Sequence, residues 1–402
     1  MTARWLPFPI VALLAALLTM TDSARADDAR PVDMDHLKQV DELIAASIEK
    51  KEIPGAVLLV GRGDDVVYRK AYGNRSIEPT VEPMTEDTIF DLASLSKPVG
   101  TATSIMILAD RGKLDVDAPA AKYVPAFASN GKENVTVAQL LLHRGGLIAD
   151  NSLKDYTDDP DESMKKILDL KLKYEPGKDY IYSDMSFAVL GEIVRAVSGK
   201  PLNEFAAEEL FKPLGMKDTT YLPPASWKPH IAPTERAKDA KTGENTVLRG
   251  IVHDPRAQKL GGFAGHAGVF GTADDLARYC RMLLNGGELD GKRIISANTF
   301  TEMTKTRCMP DGTNCRTYGF DVDTKHSAPR GERFEKGTSL GHTGYTGTMF
   351  WIDPKNESYV ILLTNRVHPQ DKGSVTQLRR KVSTVVAEAL LGKAPATKPS
   401  EK

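Results

Sequence analysis

The spacing of apolar residues divides the chain into strand-rich ends and a helical middle. Residues 36–51 (HLKQVDELIAASIEKK) have apolar positions at helical spacing. Residues 56–73 (AVLLVGRGDDVVYRKAYG) form two β-rich runs around a Gly-Asp turn, which predicts a hairpin. The short strand-like run TIFDL follows at 88–92, and an apolar helix is expected to open at Ser94.

The middle and the end of the chain differ in pattern. From about 115 to 254 the chain is helical and rich in loops, with helices predicted at 186–199 and 201–211 and a polar, irregular stretch at 228–252. Strand patterns return near the C-terminus, where three runs form a meander, and a closing helix follows. The three runs and the helix span residues 339–344, 347–354, 357–366 and 374–392.

Strands at both ends of the chain predict an α+β fold, in which an antiparallel sheet is flanked by helices and carries an inserted helical domain. The predicted segments are a discontinuous α+β domain (27–110 and 255–392), a helical domain (111–254) and a disordered tail (393–402).

Composition narrows the possible functions. The chain has 402 residues, 41% of them hydrophobic, and a formal net charge of −1. It has no basic run or patch, so we exclude a nucleic-acid partner.

The N-terminus has Arg4, an apolar run and then Ala24-Arg25-Ala26, which predicts a signal peptide over 1–26 and a periplasmic or secreted protein. An uncleaved anchor is the alternative. No other stretch is long enough to span a bilayer.

The cysteines fit an exported protein. Cys308 and Cys315 bracket the turn-rich MPDGTN, and we expect them to form a disulfide. A metal clip is the rival, but no second cysteine pair or histidine cluster supports it. Cys280 falls on the apolar face of a predicted helix, which indicates a small buried hydrophobe.

One lysine lies in an apolar segment. Lys97 is the only charged residue between Asp91 and Asp110, and it follows Ser94 by three residues, so the two share a helix face. The same spacing recurs in charged helices or polar loops at 47–50, 129–132 and 163–166. A buried ammonium lowers its pKa or finds a partner, so Lys97 is a candidate base for a Ser94 nucleophile. A snorkelling or salt-bridged lysine is the alternative.

Two further segments carry candidate chemistry. Tyr182-Ser183-Asp184 comes just before a predicted helix, where the tyrosine is a candidate proton relay and Asp184 is either part of the site or a helix N-cap. His342-Thr343-Gly344 lies in a predicted strand, and Gly344 would let a ligand approach the backbone. The backbone N–H of the next residue, Tyr345, is a candidate to hold an oxyanion together with that of Ser94.

The order Ser-x-x-Lys, Tyr-Ser-x and His-Thr-Gly resembles the serine penicillin-recognising enzymes, which comprise class C type β-lactamases, DD-peptidases and related esterases. LLLHRGGL at 140–147 and GGFAGHAGVFGTADDLARY at 261–279 look like that family too, and the resemblance runs from about 36 to 390. It implies a β-lactamase/transpeptidase-like fold. It also implies that Ser94 forms an acyl-enzyme, that Lys97 and Tyr182 carry its proton, and that the N–H groups of Ser94 and Tyr345 form an oxyanion hole.

Two positions depart from the commoner family pattern. Asp184 stands where asparagine is usual, and His342 stands where lysine is common, although histidine also occurs there in DD-peptidases of the family. One cation is lost and one anion is gained. We therefore expect a cleft that is less positive and attracts a substrate carboxylate more weakly.

Other candidate catalytic or binding sites have less support in the sequence. Ser339 lies in a G-x-S-x-G match, but polar residues precede it and a strand-like run follows, so the strand and helix that this motif needs are missing. The glycine-rich stretch 261–272 lacks P-loop spacing, and Asp274 and Asp275 after it repel anions. His266 in that stretch is either structural or faces the cleft. The scattered histidines predict no metal site.

The sequence therefore predicts an exported, monomeric serine hydrolase without a cofactor, acting on D-Ala-D-Ala-type peptides of peptidoglycan. A small-ester hydrolase (esterase) of the same fold is the alternative, so the expected substrate is a peptidoglycan peptide or a small ester or amide. A catalytically dead binding protein for cell-wall peptides is a third reading, which intact Ser94, Lys97 and Tyr182 oppose.

Overall fold

The computed structural model describes residues 31–238 and 242–392, which from residue 32 onward pack as one compact unit. The expected signal peptide (1–26) and tail (393–402) lie outside the described residues. The expected division into an α+β domain and an inserted helical domain stays a prediction.

The described residues form eleven α-helices and fourteen strands. The helices are α1 (Met34–Leu37), α2 (Gln39–Glu49), α3 (Thr103–Asp110), α4 (Val137–Leu141), α5 (Pro160–Leu168), α6 (Asp184–Ser198), α7 (Leu202–Ala206), α8 (Pro255–Lys259), α9 (Ala273–Leu284), α10 (Ala297–Thr304) and α11 (Thr376–Leu391). The strands are β1 (Gly55–Arg62), β2 (Asp65–Ser76), β3 (Glu82–Pro83), β4 (Phe90–Asp91), β5 (Arg236–Lys238), β6 (Asn245–Val247), β7 (Phe270–Gly271), β8 (Glu288–Leu289), β9 (Lys292–Arg293), β10 (Cys315–Arg316), β11 (Asp321–Asp323), β12 (Leu340–Thr343), β13 (Met349–Asp353) and β14 (Ser358–Thr364).

The principal sheet joins the two ends of the chain. Its order is β10-β11-β12-β13-β14-β1-β2-β3, and every neighbouring pair is antiparallel. The predicted N-terminal hairpin therefore pairs with the predicted C-terminal meander through β1 and β14. An antiparallel sheet flanked by helices is thus confirmed.

The sheet is buried on both faces, which explains why β1 reads as a continuous apolar run. Successive side chains in a strand point to opposite faces. Val57 and Leu59 join the core that contains α3, α6 and α9, whereas Leu58 and Val60 join the core formed with α2 and α11. Covering layers on both faces remove the need for polar residues at alternate positions.

Two local elements differ from the expectation. The run TIFDL contributes only β4, which pairs with β7 in a separate two-stranded ribbon instead of the principal sheet. The stretch 228–252, expected to be irregular, contains the hairpin formed by β5 and β6. The partner of β4 lies far along the chain, and β5 and β6 are mostly polar, so local spacing reveals neither pairing.

The edge strand β10 begins at a cysteine that forms a disulfide. Cys308 and Cys315 form a disulfide seven residues apart, and Cys280 is a free, buried thiol on α9. Across the described ranges, no helix combines the length and the apolar character needed to cross a bilayer.

Candidate active site

Ser94 lies on a tight turn between β4 and α3. Residues Ala93–Leu95 form one turn of 3₁₀ helix, and the wide turn Lys97–Ala102 leads into α3, so the apolar helix expected from Ser94 begins in irregular form. Ala93 has a φ of 48°, a region that residues with a side chain rarely adopt. The Asp91 carboxylate accepts hydrogen bonds from the backbone N–H groups of Ala93 (2.8 Å) and His253 (2.6 Å). Asp91 thereby fixes the turn that presents Ser94.

Lys97 is fully buried, and its ammonium is surrounded by polar groups. Nζ lies 2.9 Å from the Oγ of Ser94, 3.1 Å from the backbone oxygen of His266 and 2.7 Å from the Oδ1 of Asp184. It also lies 4.9 Å from the centre of the Tyr182 ring. Lys97 therefore forms a salt bridge, as one alternative had it. It also contacts the hydroxyl of Ser94, as a candidate base must.

The electrostatics keep this lysine charged. Burial alone would lower the pKa of Lys97, but the negative charge of Asp184 and the interaction with Tyr182 outweigh it, so the pKa is raised. The pKa of Tyr182 is also raised, because burial disfavours its phenolate more than the Lys97 ammonium favours it. The Tyr182 hydroxyl interacts with both Lys97 and Ser94. The resting site thus holds an ammonium and a neutral phenol beside the serine.

The segment 182–184 enters α6 with its residues in separate roles. Ser183 is the N-cap: its Oγ accepts the N–H of Ser186 at 3.1 Å. Asp184 is the first helical residue, and its carboxylate is directed at Lys97 and is 19% exposed. The N-cap alternative for Asp184 is therefore wrong, because the neighbouring serine takes that position.

The segment 342–345 forms the opposite wall. His342 donates from Nδ1 to the backbone oxygen of Thr343 at 2.9 Å, and its ring centre lies 5.9 Å from that of Tyr182. Burial and the positive charges of Arg316 and Lys97 hold the pKa of His342 well below its usual range, so the ring is neutral. In the part of the chain that the structure describes, the Tyr345 N–H has no hydrogen-bond acceptor.

Position 344 must be glycine because neighbouring atoms of the protein leave no room for a side chain. A Cβ there would lie 2.1 Å from Thr348 Oγ1 and 2.5 Å from the backbone oxygen of Leu92. This strand and the segment leading to Ser94 therefore approach each other more closely than any other residue at 344 would allow. The space expected for a ligand on the missing side chain is filled by these two groups, although Gly344 also lines the cleft.

These segments surround a cleft of about 230 Å³. Its walls include the predicted residues Ser94, Tyr182, His342, Thr343, Gly344 and Tyr345. Three arginines that the sequence did not single out line it as well: Arg316, Arg366 and Arg379. The expectation of a less positive cleft did not consider these arginines, of which Arg316 and Arg366 are each paired with a carboxylate, that of Asp321 and that of Asp371.

Among the described residues, Arg316 has two unused buried donors, whereas Arg379 has one, its Nε. Arg316 is fully buried, and its Nη1 lies 3.2 Å from Asp321 Oδ1 and 3.4 Å from the Tyr180 hydroxyl. Nε and Nη2 are also buried, and neither has a partner among the described residues. Burial would lower the pKa of Arg316, but Tyr180 and Asp321 raise it. A lone arginine in a turn-rich stretch gives no signal in sequence, and only the pairing of β10 with β11 brings it to the cleft.

The competing residues have structural roles. Ser339 is buried, donates to the backbone oxygen of Glu335 and accepts the indole N–H of Trp351 at 2.9 Å, so its hydroxyl is fully engaged. His266 is buried and its Nε2 lies 3.2 Å from Asp254 Oδ1, while its backbone oxygen contacts Lys97.

One cluster has the composition of a metal site. Ligand atoms of Asp184, Asp254 and His266 lie within 4.8 Å of one another. The Lys97 ammonium already supplies a positive charge to Asp184, and His266 pairs with Asp254. The cluster is thus balanced by the protein's own groups, and we assign no metal to it.

Residues 40–384 match the family model described as Beta-lactamase. The chain belongs to the β-lactamase family. An Escherichia coli K12 protein named "Putative D-alanyl-D-alanine carboxypeptidase" is 32% identical over 369 residues, covering 84% of this chain and 83% of that protein. A Bacillus subtilis 168 protein named "N-acetylmuramyl-L-alanine amidase" is 31% identical over 366 residues, covering 83% and 81%.

A solved family VIII carboxylesterase superposes with a TM-score of 0.67 and 25% identity, covering 90% of this chain and 99% of that one. The β-lactamase/transpeptidase-like fold and membership of a family of serine hydrolases, both expected from the motifs, are confirmed. The relatives carry peptidase, amidase and esterase names, so the family alone does not select the substrate.

Proposed function

We propose that this β-lactamase family member is an exported carboxypeptidase that cleaves D-Ala-D-Ala-type peptides of peptidoglycan through an acyl-enzyme on Ser94. The observation that carries the choice of substrate is Arg316. Its Nε and Nη2 are buried, have no partner within residues 31–238 and 242–392, and belong to a side chain that lines the same cleft as Ser94. A guanidinium fork with two unused donors matches a carboxylate, which a D-Ala terminus presents and a simple ester lacks.

The proposed chemistry begins at Ser94. Its Oγ attacks the carbonyl carbon of the penultimate residue, and its proton passes to the Lys97–Tyr182 pair. The carbonyl oxygen becomes an oxyanion held by the N–H groups of Ser94 and Tyr345. As the oxyanion collapses, the C–N bond breaks and the departing amine of D-Ala takes the proton. Water then attacks the ester, and Ser94 regains its proton.

The proton transfer needs a change from the resting state. Because the pKa of Lys97 is raised, its ammonium donates to Ser94 Oγ and cannot accept the serine proton as it stands. A substrate carboxylate on Arg316 and an oxyanion beside Ser94 are negative charges, so they favour proton uptake by the pair but do not remove the proton that it already holds. We infer that the active form has lost one proton from the Lys97–Tyr182 pair, whose titration belongs to the two residues jointly.

A pair of peptides tests the proposal. The protein is incubated with an acyl-D-Ala-D-Ala peptide and with the same peptide amidated at its C-terminus, and released D-Ala or D-Ala-amide is measured. We expect turnover of the free acid only, and loss of that preference in Arg316→Gln. Equal turnover of both peptides would contradict the role of Arg316.

The alternatives give different outcomes in the same experiment. A short acyl ester is added as a third substrate, and mass spectrometry follows the acyl adduct on Ser94. Hydrolysis of the ester without either peptide would identify an esterase, which the carboxylesterase neighbour makes the second candidate. An absence of turnover and of labelling by a fluorophosphonate or a fluorescent penicillin would identify a binding protein.

A further inference from the structure

Two consecutive residues, His143 and Arg144, contact both sides of the cleft without lining it. They follow α4, whose N-terminus is fixed by a capping box between Thr136 and Gln139. The helix ends where the Arg144 N–H bonds to the backbone oxygen of Gln139 at 2.7 Å, and His143 adopts a φ of 57°. That left-handed conformation turns the two side chains away from the helix in different directions.

His143 is fully buried behind Tyr182. Its Nδ1 accepts the backbone N–H of Ser183 at 2.9 Å, and its backbone oxygen accepts that of Ile181 at 3.2 Å. Its ring centre lies 4.5 Å from that of Tyr182 and 5.0 Å from that of Phe187. Both neighbours of Tyr182 in sequence are therefore bonded to one histidine, which also packs against the tyrosine ring.

The tautomer of His143 follows from these contacts. Nδ1 accepts an N–H, so the ring proton is on Nε2. Burial and the positive charges of Arg316 and Lys97 hold the pKa of His143 well below its usual range, so the ring stays neutral and keeps its acceptor. Nε2 is buried and has no partner in the described ranges. A buried donor left unpaired is costly, and in this tautomer that cost accompanies the hydrogen bond that Nδ1 accepts from Ser183.

Arg144 is bonded to the other wall. Its guanidinium donates to three backbone oxygens, those of Arg307 (2.8 Å), Cys308 (3.2 Å) and Asn314 (3.2 Å). These carbonyls lie at the base of the hairpin closed by the disulfide between Cys308 and Cys315. Arg316 follows directly and exchanges two backbone hydrogen bonds with Arg307, at 2.8 and 3.0 Å. Arg144 and the disulfide thus hold the same hairpin that places Arg316.

We propose that the dipeptide His143-Arg144 is a positioning element of the cleft, in which His143 fixes Tyr182 and Arg144 fixes Arg316. The inference rests on the proposed function in taking Tyr182 as a proton carrier and Arg316 as the carboxylate-binding group. The proposal adds that acylation depends on His143 and carboxylate binding on Arg144, although neither residue touches the substrate or Ser94. The two dependencies are separable, because each side chain bonds to a different wall.

The His143 half is tested by the rate at which a fluorophosphonate labels Ser94. Glycine and asparagine both tolerate the left-handed conformation, so His143→Gly and His143→Asn differ chiefly in the acceptor for Ser183 N–H. We expect His143→Gly to slow labelling by about tenfold, since a buried donor is left unpaired, and His143→Asn to recover most of that loss. Equal rates in the protein and in a folded His143→Gly variant would overturn this half.

The Arg144 half is tested by carboxylate binding. N-acetyl-D-alanine is used to protect Ser94 from the same label, which gives its dissociation constant without any peptide turnover. We expect Arg144→Met to weaken protection about tenfold, with Arg144→Lys intermediate because it keeps the charge but loses the fork, while the unprotected labelling rate changes little. Unchanged protection in folded Arg144→Met would overturn this half.

Lys132 provides a matched control. It is a buried cation that also donates to backbone oxygens, those of Ser129 and Leu170, but it does not line the cleft. Lys132→Met should lower the melting temperature while leaving labelling and protection unchanged. If the unmodified protein is labelled but shows no protection by N-acetyl-D-alanine, the proposed function fails and the Arg144 half fails with it. Protection that persists in Arg144→Met counts against the positioning element alone.

Discussion

The ammonium of Lys97 lies 2.7 Å from the carboxylate of Asp184, the position at which the motif resemblance led us to expect asparagine. Asparagine would offer the lysine a neutral amide, whereas Asp184 offers a charge. The raised pKa of Lys97 follows from that difference, because burial by itself would lower it. Having aspartate at 184 in place of asparagine therefore keeps Lys97, a proposed proton carrier, protonated.

Replacing Asp184 by asparagine should move the pH dependence of acylation. Without the carboxylate, burial dominates and the pKa of Lys97 falls. The rising limb of the acylation rate against pH should then shift to lower pH by about one unit or more, and the rate near neutrality should increase. Fluorophosphonate labelling of Asp184→Asn and of the unmodified protein across pH 5–10 measures both.

Asp150 supplies the control for this prediction. Burial and then the nearby charge of Asp184 raise the pKa of Asp150, but its ion pair is with Arg256 and not with Lys97. Asp150→Asn should shift the limb much less than Asp184→Asn. A limb that stays in place in Asp184→Asn would show that Lys97 does not set the pH dependence.

Two serine variants separate the nucleophile from its rival. Ser94→Ala should abolish turnover and covalent labelling. Ser339→Ala should keep both, because the Ser339 hydroxyl bonds to the backbone oxygen of Glu335 in the preceding loop and to the indole of Trp351 on β13. It should lower the free energy of unfolding by about 1–3 kcal/mol, since the buried indole N–H loses its acceptor. Loss of labelling in a folded Ser339→Ala protein would contradict the assignment of Ser94.

The sequence identified what lies in contiguous motifs and missed what tertiary contacts bring in. The segments of Ser94, Tyr182 and His342 were found because each has a recognisable spacing and the three occur in a family order. The orientation of the Asp184 side chain was not predictable. The local sequence is the same whether this aspartate caps the helix or faces Lys97. Arg316 was missed because its burial depends on a disulfide hairpin and on the pairing of β10 with β11.

The three cysteines should differ in their reaction with a thiol reagent. The pKa of the Cys280 thiol is raised well above its usual range by burial, so the native protein should not react. Unfolding without a reductant should expose one thiol, and reduction should expose all 3 cysteines of the chain. Mass spectrometry after alkylation in each state counts the adducts. More than one adduct in the unreduced, unfolded protein from an exporting host would show that Cys308 and Cys315 are not joined there.

A buried carboxyl at the start of α9 gives a prediction for stability. The Asp275 side chain accepts hydrogen bonds from the Asp218 N–H and the Thr219 hydroxyl, both at 2.8 Å, and is 5% exposed. Burial raises its pKa from 3.8 to about 6, against these hydrogen bonds, and the charge of Asp218 adds to the rise. The folded protein therefore binds the proton more tightly than the unfolded chain does.

The sign of the resulting pH dependence is fixed by that order of pKa values. Between about pH 4 and pH 6 the folded protein holds a proton at Asp275 that the unfolded chain has lost, so stability falls as the pH rises through this window. A shift of about two units corresponds to roughly 3 kcal/mol. Asp275→Asn cannot ionise, so the difference in unfolding free energy between it and the unmodified protein should change by about that amount from pH 4 to pH 7, in favour of the variant at pH 7. Urea unfolding of both proteins at several pH values measures the difference. Parallel curves would mean that Asp275 titrates alike in the folded and unfolded protein, and that its two hydrogen bonds offset its burial completely.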